Sequence, residues 1–516
     1  MSKKRTGWIL ILFVVLLALM VRFVRLDAVP ASLYYDEIDL GYQIRSLLST
    51  GKDYRGGLSP FYLRSFNTDK TPFPIYFSVL PSLFFSSPEY QVRAGAALAG
   101  VICVILAMIL VYQLTGKKNA SIITGLVFAF SPWQIQFSRM AFEAIFMLVV
   151  FLASVSVFLY WKDSKKNWAF YLSAVLFGLN VYTYRTMSLF GPILVGLVTV
   201  IYFRDFWRQG WWRLGVWLSI IAIFVLPFIY ATTIGSADQA RINQISVFSD
   251  PMTQVKVLRN REVDSNDYGN PQIGKKAVWW SPIFHNKVLT PLVNFGSNYL
   301  KNYSTEFLFL TGDPNGRHSV TNMGELLFID SLGLIVGLTF VFKNIKDKKY
   351  QLLLCLLIFS PVASDLTMDG AYHASRLMIL AGPMLLIVGL GYFSLLEILF
   401  KNKKLWLGIP LITGLWLLST IFYLHRYFVH FPIESSRQFG YGYKQAMIKI
   451  ADVEDQFKAI RLTNLNDPPM LYYFFWRNEA PINVQEYGTA YGEDVYRNMP
   501  LDKIKQISWG GKTVHS

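Results

Sequence analysis

The chain has 516 residues, of which 53% are hydrophobic and only 16% are charged, and its formal net charge is +16. Soluble domains contain about 25% charged residues, so the composition excludes an ordinary water-soluble protein and indicates a membrane protein. The basic residues stand in short clusters between apolar runs, so we expect no nucleic-acid partner. Both cysteines, Cys103 and Cys355, lie inside apolar runs, which excludes a disulfide framework.

Apolar runs of about 20 residues, the length that crosses a bilayer, predict the architecture. The first run follows three basic residues and has no small-residue cleavage site after it, which favours a retained span over a signal peptide. Ten further runs predict an all-α polytopic membrane protein with about eleven transmembrane helices. The predicted spans are 8–26, 92–114, 120–137, 141–161, 168–184, 187–203, 214–230, 326–342, 352–362, 377–400 and 405–424.

The distribution of Lys and Arg predicts the orientation. With a cytoplasmic N-terminus, the inner loops contain 18 of these residues and three acids, as the positive-inside rule requires. The inner loops are 1–6, 115–119, 162–167, 204–213, 343–349 and 401–404. The positive net charge therefore reflects the basic inner loops of a membrane protein. We expect a multi-pass protein of the plasma membrane that contacts membrane lipids.

The long polar segments all fall on the outer side in this topology. Two are extracytoplasmic loops, 27–91 and 231–325, and the third is the tail after residue 427. In the tail, helical patterns at 443–450 and 471–477 flank a strand-like run at 459–463. We therefore predict a transmembrane module over 1–427 and a small extracytoplasmic C-terminal α/β domain over 428–516.

An acidic motif opens the first outer loop, with the sequence Tyr35-Asp36-Glu37-Ile38-Asp39. Carboxylates beside a membrane are costly unless they serve a function or face water. Acids also favour the N-terminus of a helix, and an interfacial aromatic belt would account for the tyrosine. Both the functional and the structural interpretation remain open at this point.

A lysine stands further along the same loop, in Asp69-Lys70-Thr71-Pro72. Proline restricts the backbone, so Lys70 lies at an ordered turn. It is either an ordinary interfacial lysine or a point-charge partner for phosphate.

Other charged residues fall at the outer ends of the predicted spans. They are Arg139, Glu143, Arg185, Arg317, His318, His373 and Arg376. Arg139 and Glu143 stand four residues apart, so a structural ion pair on one helix face is the simplest interpretation of these two. As a group, the residues suit transfer from a phosphorylated donor, in which a carboxylate takes a proton and cations stabilise the departing phosphate. The sequence has no Walker-type loop or dinucleotide fingerprint for a soluble nucleotide donor.

The acidic motif and the Lys70 turn resemble the GT-C superfamily of glycosyltransferases, and within it family 39, the protein O-mannosyltransferases and aminoarabinose transferases. The resemblance implies an integral-membrane glycosyltransferase that inverts the anomeric carbon and uses a polyprenyl-phosphate sugar donor on the non-cytoplasmic face. It implies a lipid or protein acceptor. Asp36 matches the general base of this family, Glu37 its acidic neighbour, and Lys70 the lysine that meets the donor phosphate. Thr71 stands where the aminoarabinose enzymes usually have a proline.

The remaining residues have no firm match in the family. We offer Tyr35 and the seven charged residues of the outer span ends as donor-phosphate or substrate contacts. No cofactor is expected, although Glu37 with Asp39 resembles the acidic motif of metal-dependent GT-C enzymes and leaves Mg²⁺ or Mn²⁺ as an alternative. A transporter or lipid flippase is the main rival, but such proteins place charges near mid-span, where this sequence is apolar. A scaffold that binds partners through its tail ranks last.

Overall fold

The computed structural model describes residues 3–65, 69–234, 246–249, 252–267, 278–402, 406–456, 460–462, 469–487 and 507–509. The predicted outer segments 27–91, 231–325 and 428–516 lie partly outside these residues. The described chain is mainly helical, as the sequence predicts. The helices are α1 (Lys3–Phe23), α2 (Tyr35–Thr50), α3 (Pro72–Ser82), α4 (Pro88–Thr115), α5 (Lys118–Phe130), α6 (Pro132–Ser138), α7 (Glu143–Ser164), α8 (Asn167–Leu179), α9 (Thr186–Arg208), α10 (Trp211–Ile234), α11 (Met252–Asp267), α12 (Ser281–Phe284), α13 (Leu289–Lys301), α14 (Asp330–Lys343), α15 (Lys348–Phe359), α16 (Val362–Asp365), α17 (Met378–Lys401), α18 (Gly408–His425), α19 (Phe431–Glu434), α20 (Tyr443–Val453), α21 (Pro469–Trp476) and α22 (Pro481–Tyr487).

Every predicted span overlaps one of these helices, and the chain is a multi-pass membrane protein. By length and composition, seven helices of the described part can each cross a membrane: Thr6–Phe23, Pro88–Thr115, Glu143–Ser164, Thr186–Arg208, Trp211–Ala231, Met378–Lys401 and Gly408–Glu434. The helices α5, α8, α14 and α15 have only 12 to 14 residues, short of the roughly 20 that a bilayer core needs. The number of eleven spans therefore stays a prediction.

One predicted span, 120–137, is broken in the structure. Helix α5 ends at Phe130, and α6 begins at Pro132. The hydroxyl of Ser131 caps α6 by accepting a hydrogen bond from the Gln134 amide. A proline at the first position of a helix disfavours helical backbone in the residue before it, which explains the break.

The core of the membrane region is formed by α4, α7 and α17, each of which is buried over most of its length, whereas α1, α10 and α18 are largely exposed. Helices α14 and α17 approach each other closely at glycines. A Cβ atom on Gly391 would lie 1.8 Å from the carbonyl oxygen of Gly333, and one on Gly337 would lie 2.0 Å from that of Ile387. Small residues of this kind let two membrane helices pack backbone to backbone.

At one end of the bundle, the predicted cytoplasmic loops meet in ion pairs. Lys349 Nζ lies 2.7 Å from Asp163, and Lys117 Nζ lies 2.7 Å from Glu397. The predicted inner loops 162–167 and 343–349 therefore meet at one end, and Lys117 of a third loop pairs there with the end of α17. Which side of the membrane that end faces stays a prediction.

At the opposite end, the tail shares a hydrophobic core with α2. Ile38 and Tyr42 of α2 pack in one cluster with Met447 of α20 and with the residues 471–475 of α21. Strands β1 (Ile460–Leu462) and β2 (Ile507–Trp509) form a parallel pair. The tail thus contains helices and a short sheet, and the prediction of a separate α/β domain over 428–516 stays a prediction.

Candidate active site

The acidic motif begins helix α2. Tyr34 has extended backbone and precedes the first turn, which contains Asp36 and Glu37. The Tyr34 amide donates a hydrogen bond to Glu37 Oε2 over 3.3 Å. Acids in the first turn are favourable because they face the positive end of the helix dipole. The structural interpretation of the motif is therefore confirmed for these two positions, and it leaves open which carboxylate can also do chemistry.

Glu37 is completely buried against Arg93 of α4. The guanidinium nitrogens Nε and Nη2 of Arg93 lie 2.8 and 2.9 Å from the two oxygens of Glu37. Arg93 also donates to the carbonyls of Leu26, Pro30 and Ser32. This forked pair ties α2 to α4 and to the end of α1, and its geometry directs the Glu37 carboxylate into the protein.

Asp39, two residues further along α2, is also fully buried. The Tyr54 hydroxyl donates to it over 2.5 Å, and the Ser65 hydroxyl lies 2.8 Å from its Oδ2. Burial raises the pKa of the Asp39 carboxyl above its ordinary value, although Lys70 and the two hydroxyls act in the opposite direction. Because Glu37 and Asp39 are held by different partners, they do not converge on one point.

Asp36 is the carboxylate of the motif that reaches open space. Its side chain is 44% exposed, whereas those of Glu37 and Asp39 are inaccessible. Lys70 Nζ lies 2.6 Å from Asp36 Oδ1 and 3.6 Å from Asp39 Oδ2. Burial lowers the pKa of Lys70, but Asp36, Asp39 and Glu143 outweigh it and raise the pKa above its ordinary value. Lys70 is therefore a permanent cation between two carboxylates.

The turn that carries Lys70 is fixed from both sides. Its backbone pairs with Leu63, through hydrogen bonds of 2.8 and 3.0 Å. The next residue, Thr71, donates its hydroxyl to the carbonyl of Thr183, and Pro72 then starts α3. These contacts fix the backbone around Lys70 although position 71 is a threonine and not the proline that is usual in the aminoarabinose enzymes.

Two further predicted residues join this acidic cluster. Arg185 donates to the carbonyl of Asp69 over 2.7 Å, beside the Lys70 turn. Glu143, the first residue of α7, lies within electrostatic range of Lys70, Arg185 and Asp36. Asp36, Asp39, Lys70, Glu143 and Arg185, which come from four separate stretches of the sequence, therefore form one cluster at the outer end of the bundle.

Arg139 does not join the cluster. It follows α6, and the helix is interrupted before Glu143, so the predicted ion pair on one helix face is wrong. Its buried guanidinium instead donates hydrogen bonds to backbone carbonyls at and beyond the end of α1. The carbonyls belong to Val21, Arg22, Val24, Arg25 and Val29. Carbonyls at a helix end lack partners within the helix, and Arg139 satisfies them.

Tyr35 also points away from the cluster. It is buried in the core shared with the tail, with its ring 6.4 Å from that of Tyr472. Its assignment as a substrate contact stays a prediction.

A second group of predicted residues comes from two later outer segments. His318 Nδ1 lies 2.7 Å from Asp313 Oδ2, and its ring centre lies 5.0 Å from that of His373. Burial, together with Arg376 and His318, lowers the pKa of His373 to about 3. Arg376 pairs with Asp369 over 2.5 Å.

The two groups face each other across Tyr184 and Tyr34. The Tyr184 hydroxyl lies 3.5 Å from Ser375 Oγ, and this tyrosine is within electrostatic range of Arg376, Glu143 and Asp36. The guanidinium of Arg317 lies 5.2 Å from the centre of the Tyr34 ring, just before Asp36. Charged residues of both signs therefore come together at this end of the bundle, and their roles as substrate contacts stay a prediction.

Two residues of this region had no role in the sequence-based prediction. Arg93 stands inside a predicted span, and a charge in such a place signals a buried partner. Asp313 precedes His318 by five residues in a loop, a spacing with no helical or strand periodicity to reveal the contact. In the described residues, the group that could hold a metal ion is Asp313, His318 and His373, and Glu37 and Asp39 are not part of it.

Comparisons with known proteins found a matching family model and several solved structures of similar fold. The model of a family described as dolichyl-phosphate-mannose-protein mannosyltransferase matches residues 69–230, from Asp69 beside Lys70 to the end of the predicted seventh span. No curated protein sequence matches the chain.

Among solved structures, ArnT from Cupriavidus metallidurans, bound to undecaprenyl phosphate, has a TM-score of 0.51 and 13% identity, covering 98% of this chain and 90% of ArnT. The oligosaccharyltransferase of Archaeoglobus fulgidus in the apo form also has a TM-score of 0.51, with 14% identity over 98% of this chain and 69% of that one. The archaeal oligosaccharyltransferase AglB from Archaeoglobus fulgidus, in complex with an inhibitory peptide and a dolichol-phosphate, has a TM-score of 0.51 and 13% identity, covering 97% of this chain and 64% of that one. The chain has the GT-C fold of these glycosyltransferases, and the resemblance predicted from its first outer loop is confirmed.

Proposed function

We propose that the protein is an inverting glycosyltransferase that takes a sugar from a polyprenyl-phosphate donor at the outer face of the membrane. The observation that carries this proposal is the partly exposed Asp36 carboxylate, paired with the Lys70 cation, whose side chain is only 14% exposed. The known neighbours support the donor class, because ArnT was solved with undecaprenyl phosphate and AglB with a dolichol-phosphate. The Archaeoglobus fulgidus oligosaccharyltransferase was also solved tethered to an acceptor peptide, which supports the protein alternative of the proposed lipid or protein acceptor.

Asp36 is the general base in this mechanism. An acceptor hydroxyl or amine attacks the anomeric carbon, the bond from that carbon to the phosphate oxygen breaks, and Asp36 takes the acceptor proton. The polyprenyl phosphate leaves with the bonding electrons, and the anomeric configuration inverts. Glu37 cannot share this work while it is held by Arg93, so we assign it the role of orienting α2.

Lys70 and Arg185 stabilise the leaving phosphate. Lys70 stays protonated across the physiological range because carboxylates surround it. A donor phosphate that approaches the cluster competes with Asp36 for Lys70, and the exchange releases Asp36 to act as a base. Arg317 and Arg376, at the same end of the bundle, lie where they can bind the sugar or the second charge of the phosphate.

The test compares two aspartates that have the same exposure and the same type of partner. Asp163 is 44% exposed, like Asp36, and pairs with Lys349, but it lies at the far end of α7, about 30 Å from Glu143 at 1.5 Å per residue. Asp36→Asn and Asp163→Asn are expressed in a strain that lacks the chain. Mass spectrometry then measures its glycolipids and glycoproteins against those of the parent strain.

The wild type and Asp163→Asn should restore the missing glycoconjugate, and Asp36→Asn should not, although it accumulates as folded protein. Restoration by Asp36→Asn would overturn the assignment of the base. The transporter alternative makes a different prediction: purified protein in vesicles would move a polyprenyl lipid across the bilayer without transferring its sugar.

A further inference from the structure

Three residues of the second group, Asp313, His318 and His373, have no role in the proposed reaction. One ligand atom from each of the three side chains lies within 4.8 Å of the others. The residues come from two segments separated by more than fifty positions, so the tertiary fold alone brings them together. We propose that these side chains form a Zn²⁺ site that clasps the two outer segments.

The choice of metal follows from the ligand types. Two imidazoles and one carboxylate suit a borderline metal such as Zn²⁺, whereas Mg²⁺ and Ca²⁺ prefer all-oxygen sites. Zinc takes nitrogen and oxygen ligands at about 2.0–2.2 Å, which places tetrahedral ligand atoms about 3.3 Å apart. The closest pair, His318 Nδ1 and Asp313 Oδ2, stands at 2.7 Å. Small side-chain rotations, on the order of 1 Å, bring the three atoms to this spacing and leave one position for water or a further ligand.

The surroundings hold the three side chains in place. Asp313 accepts hydrogen bonds at Oδ1 from the Asn315 amide and at Oδ2 from the Ala374 amide, each over 2.8 Å. His373 Nδ1 lies 3.0 Å from the hydroxyl of Ser375. Outer contacts of this kind orient metal ligands and are part of a metal site.

The pocket around the ligands is also closed on one side. The His318 ring packs on one side against two phenylalanine rings, with centres 5.9 Å from Phe137 and 5.2 Å from Phe142. Asp313 and His318 are both buried, with 6% of their surface exposed. A divalent cation would satisfy the buried Asp313 and His318 together with the partly exposed His373.

Metal binding would position two neighbouring arginines. Arg317 adjoins His318, and Arg376 follows His373 by three residues, so a metal between the two histidines fixes both guanidiniums relative to each other. The inference does not depend on the proposed glycosyltransferase activity, because its readout is metal content.

The test uses Zn²⁺ on the full-length protein in detergent, purified without a polyhistidine tag, stripped with a chelator and then dialysed against buffered Zn²⁺. Elemental analysis should find one Zn²⁺ per wild-type chain. His318→Ala and His373→Ala should each lose it, with affinity at least 100-fold weaker, and Ser375→Ala should weaken it by about 10–100-fold. Because an alanine variant can fail to fold, His373→Asn is included, and each variant is checked for a single monodisperse peak.

Two control variants come from the other histidines of the described chain. His285 pairs with Asp264 over 3.2 Å in the same outer loop, and His425 contacts His430 over 3.2 Å. His285→Ala and the double variant His425→Ala/His430→Ala should keep the bound Zn²⁺. Loss of Zn²⁺ in a control, with retention in the folded His318 and His373 variants, would overturn the proposal. A wild type that takes up no Zn²⁺ would also overturn it and would leave a hydrogen-bonded His–Asp pair.

Discussion

Lys70 Nζ lies 2.6 Å from Asp36 Oδ1 and only 3.6 Å from the buried Asp39, so a single ammonium group neutralises two carboxylates of α2. One of these carboxylates is exposed and the other is inaccessible. Lys70 therefore has two effects: it compensates the charge of the buried Asp39, and it holds the accessible Asp36 next to a cation.

Replacing Lys70 by methionine should reduce sugar transfer by at least about 100-fold, because the leaving phosphate loses its nearest cation. Lys70→Arg should retain part of the activity, since it keeps the charge. Lys117→Met, which removes a similar ion pair at the other end of the bundle, should leave the rate unchanged. Initial rates in vesicles measure all three, and equal rates for Lys70→Met and wild type would remove Lys70 from the mechanism.

Breaking the Glu37–Arg93 pair should destabilise the fold. Removal of one partner leaves a buried charge without compensation, and we expect Arg93→Met to cost about 3–5 kcal/mol. The control is Arg426→Met, which breaks a partly exposed pair with Glu434 and should cost at most about 1 kcal/mol. Thermal unfolding in detergent compares them. A stable Arg93→Met protein would contradict the orienting role of Glu37.

Arg139→Met should behave as a folding defect. Several backbone carbonyls at the end of α1 lose their donor, and each unsatisfied buried acceptor costs about 1–3 kcal/mol. Arg185→Met should show the opposite pattern, with normal stability and a large loss of transfer, because Arg185 lies beside Lys70. If Arg139→Met instead raises KM for the donor at unchanged stability, the contact with donor phosphate predicted from the sequence is correct.

Asp365→Asn should flatten the pH dependence of stability. Burial raises the pKa of Asp365 to about 8, while a hydrogen bond from Asn302 acts in the opposite direction. The folded state therefore retains a proton that the unfolded state releases near pH 4, so stability is greatest below that pH and is lost as the pH rises towards 8. The loss is about 1.4 kcal/mol per pH unit.

Unfolding temperatures of wild type and Asp365→Asn between pH 5 and 8 measure this difference. The wild type should lose stability more steeply than the variant, because asparagine does not ionise. Asp163→Asn, at an exposed position, should follow the wild-type slope. Parallel slopes for wild type and Asp365→Asn would show that the carboxyl is already ionised in the folded protein.

The sequence was most informative where a local pattern of residues by itself determines the secondary structure. Apolar runs predict membrane helices because the cost of burying backbone polar groups leaves few alternatives. The break at Ser131 shows the limit of this pattern, because hydropathy averages over a proline that starts a new helix. Likewise, the spacing of Arg139 and Glu143 predicts a shared face only if one continuous helix joins them, and the chain turns between them.

The roles of the three acids of α2 depended on distant partners. Asp36, Glu37 and Asp39 look alike in the sequence, and only the packing of α4 and of residues 54–70 against α2 separates them. Arg93 donates hydrogen bonds to Glu37. Tyr54 and Ser65 donate to Asp39, and Asp36 remains partly exposed beside Lys70.

The sequence by itself determined that the chain is a multi-pass membrane protein, and it predicted that the basic loops share one end of the helix bundle. Composition and charge distribution suffice for this, because solvation acts on each segment separately. The tertiary structure decided which acid faces open space, that Arg139 caps a helix, and that Asp313 meets two histidines. These are pairings between segments far apart in the chain, and no local periodicity encodes them.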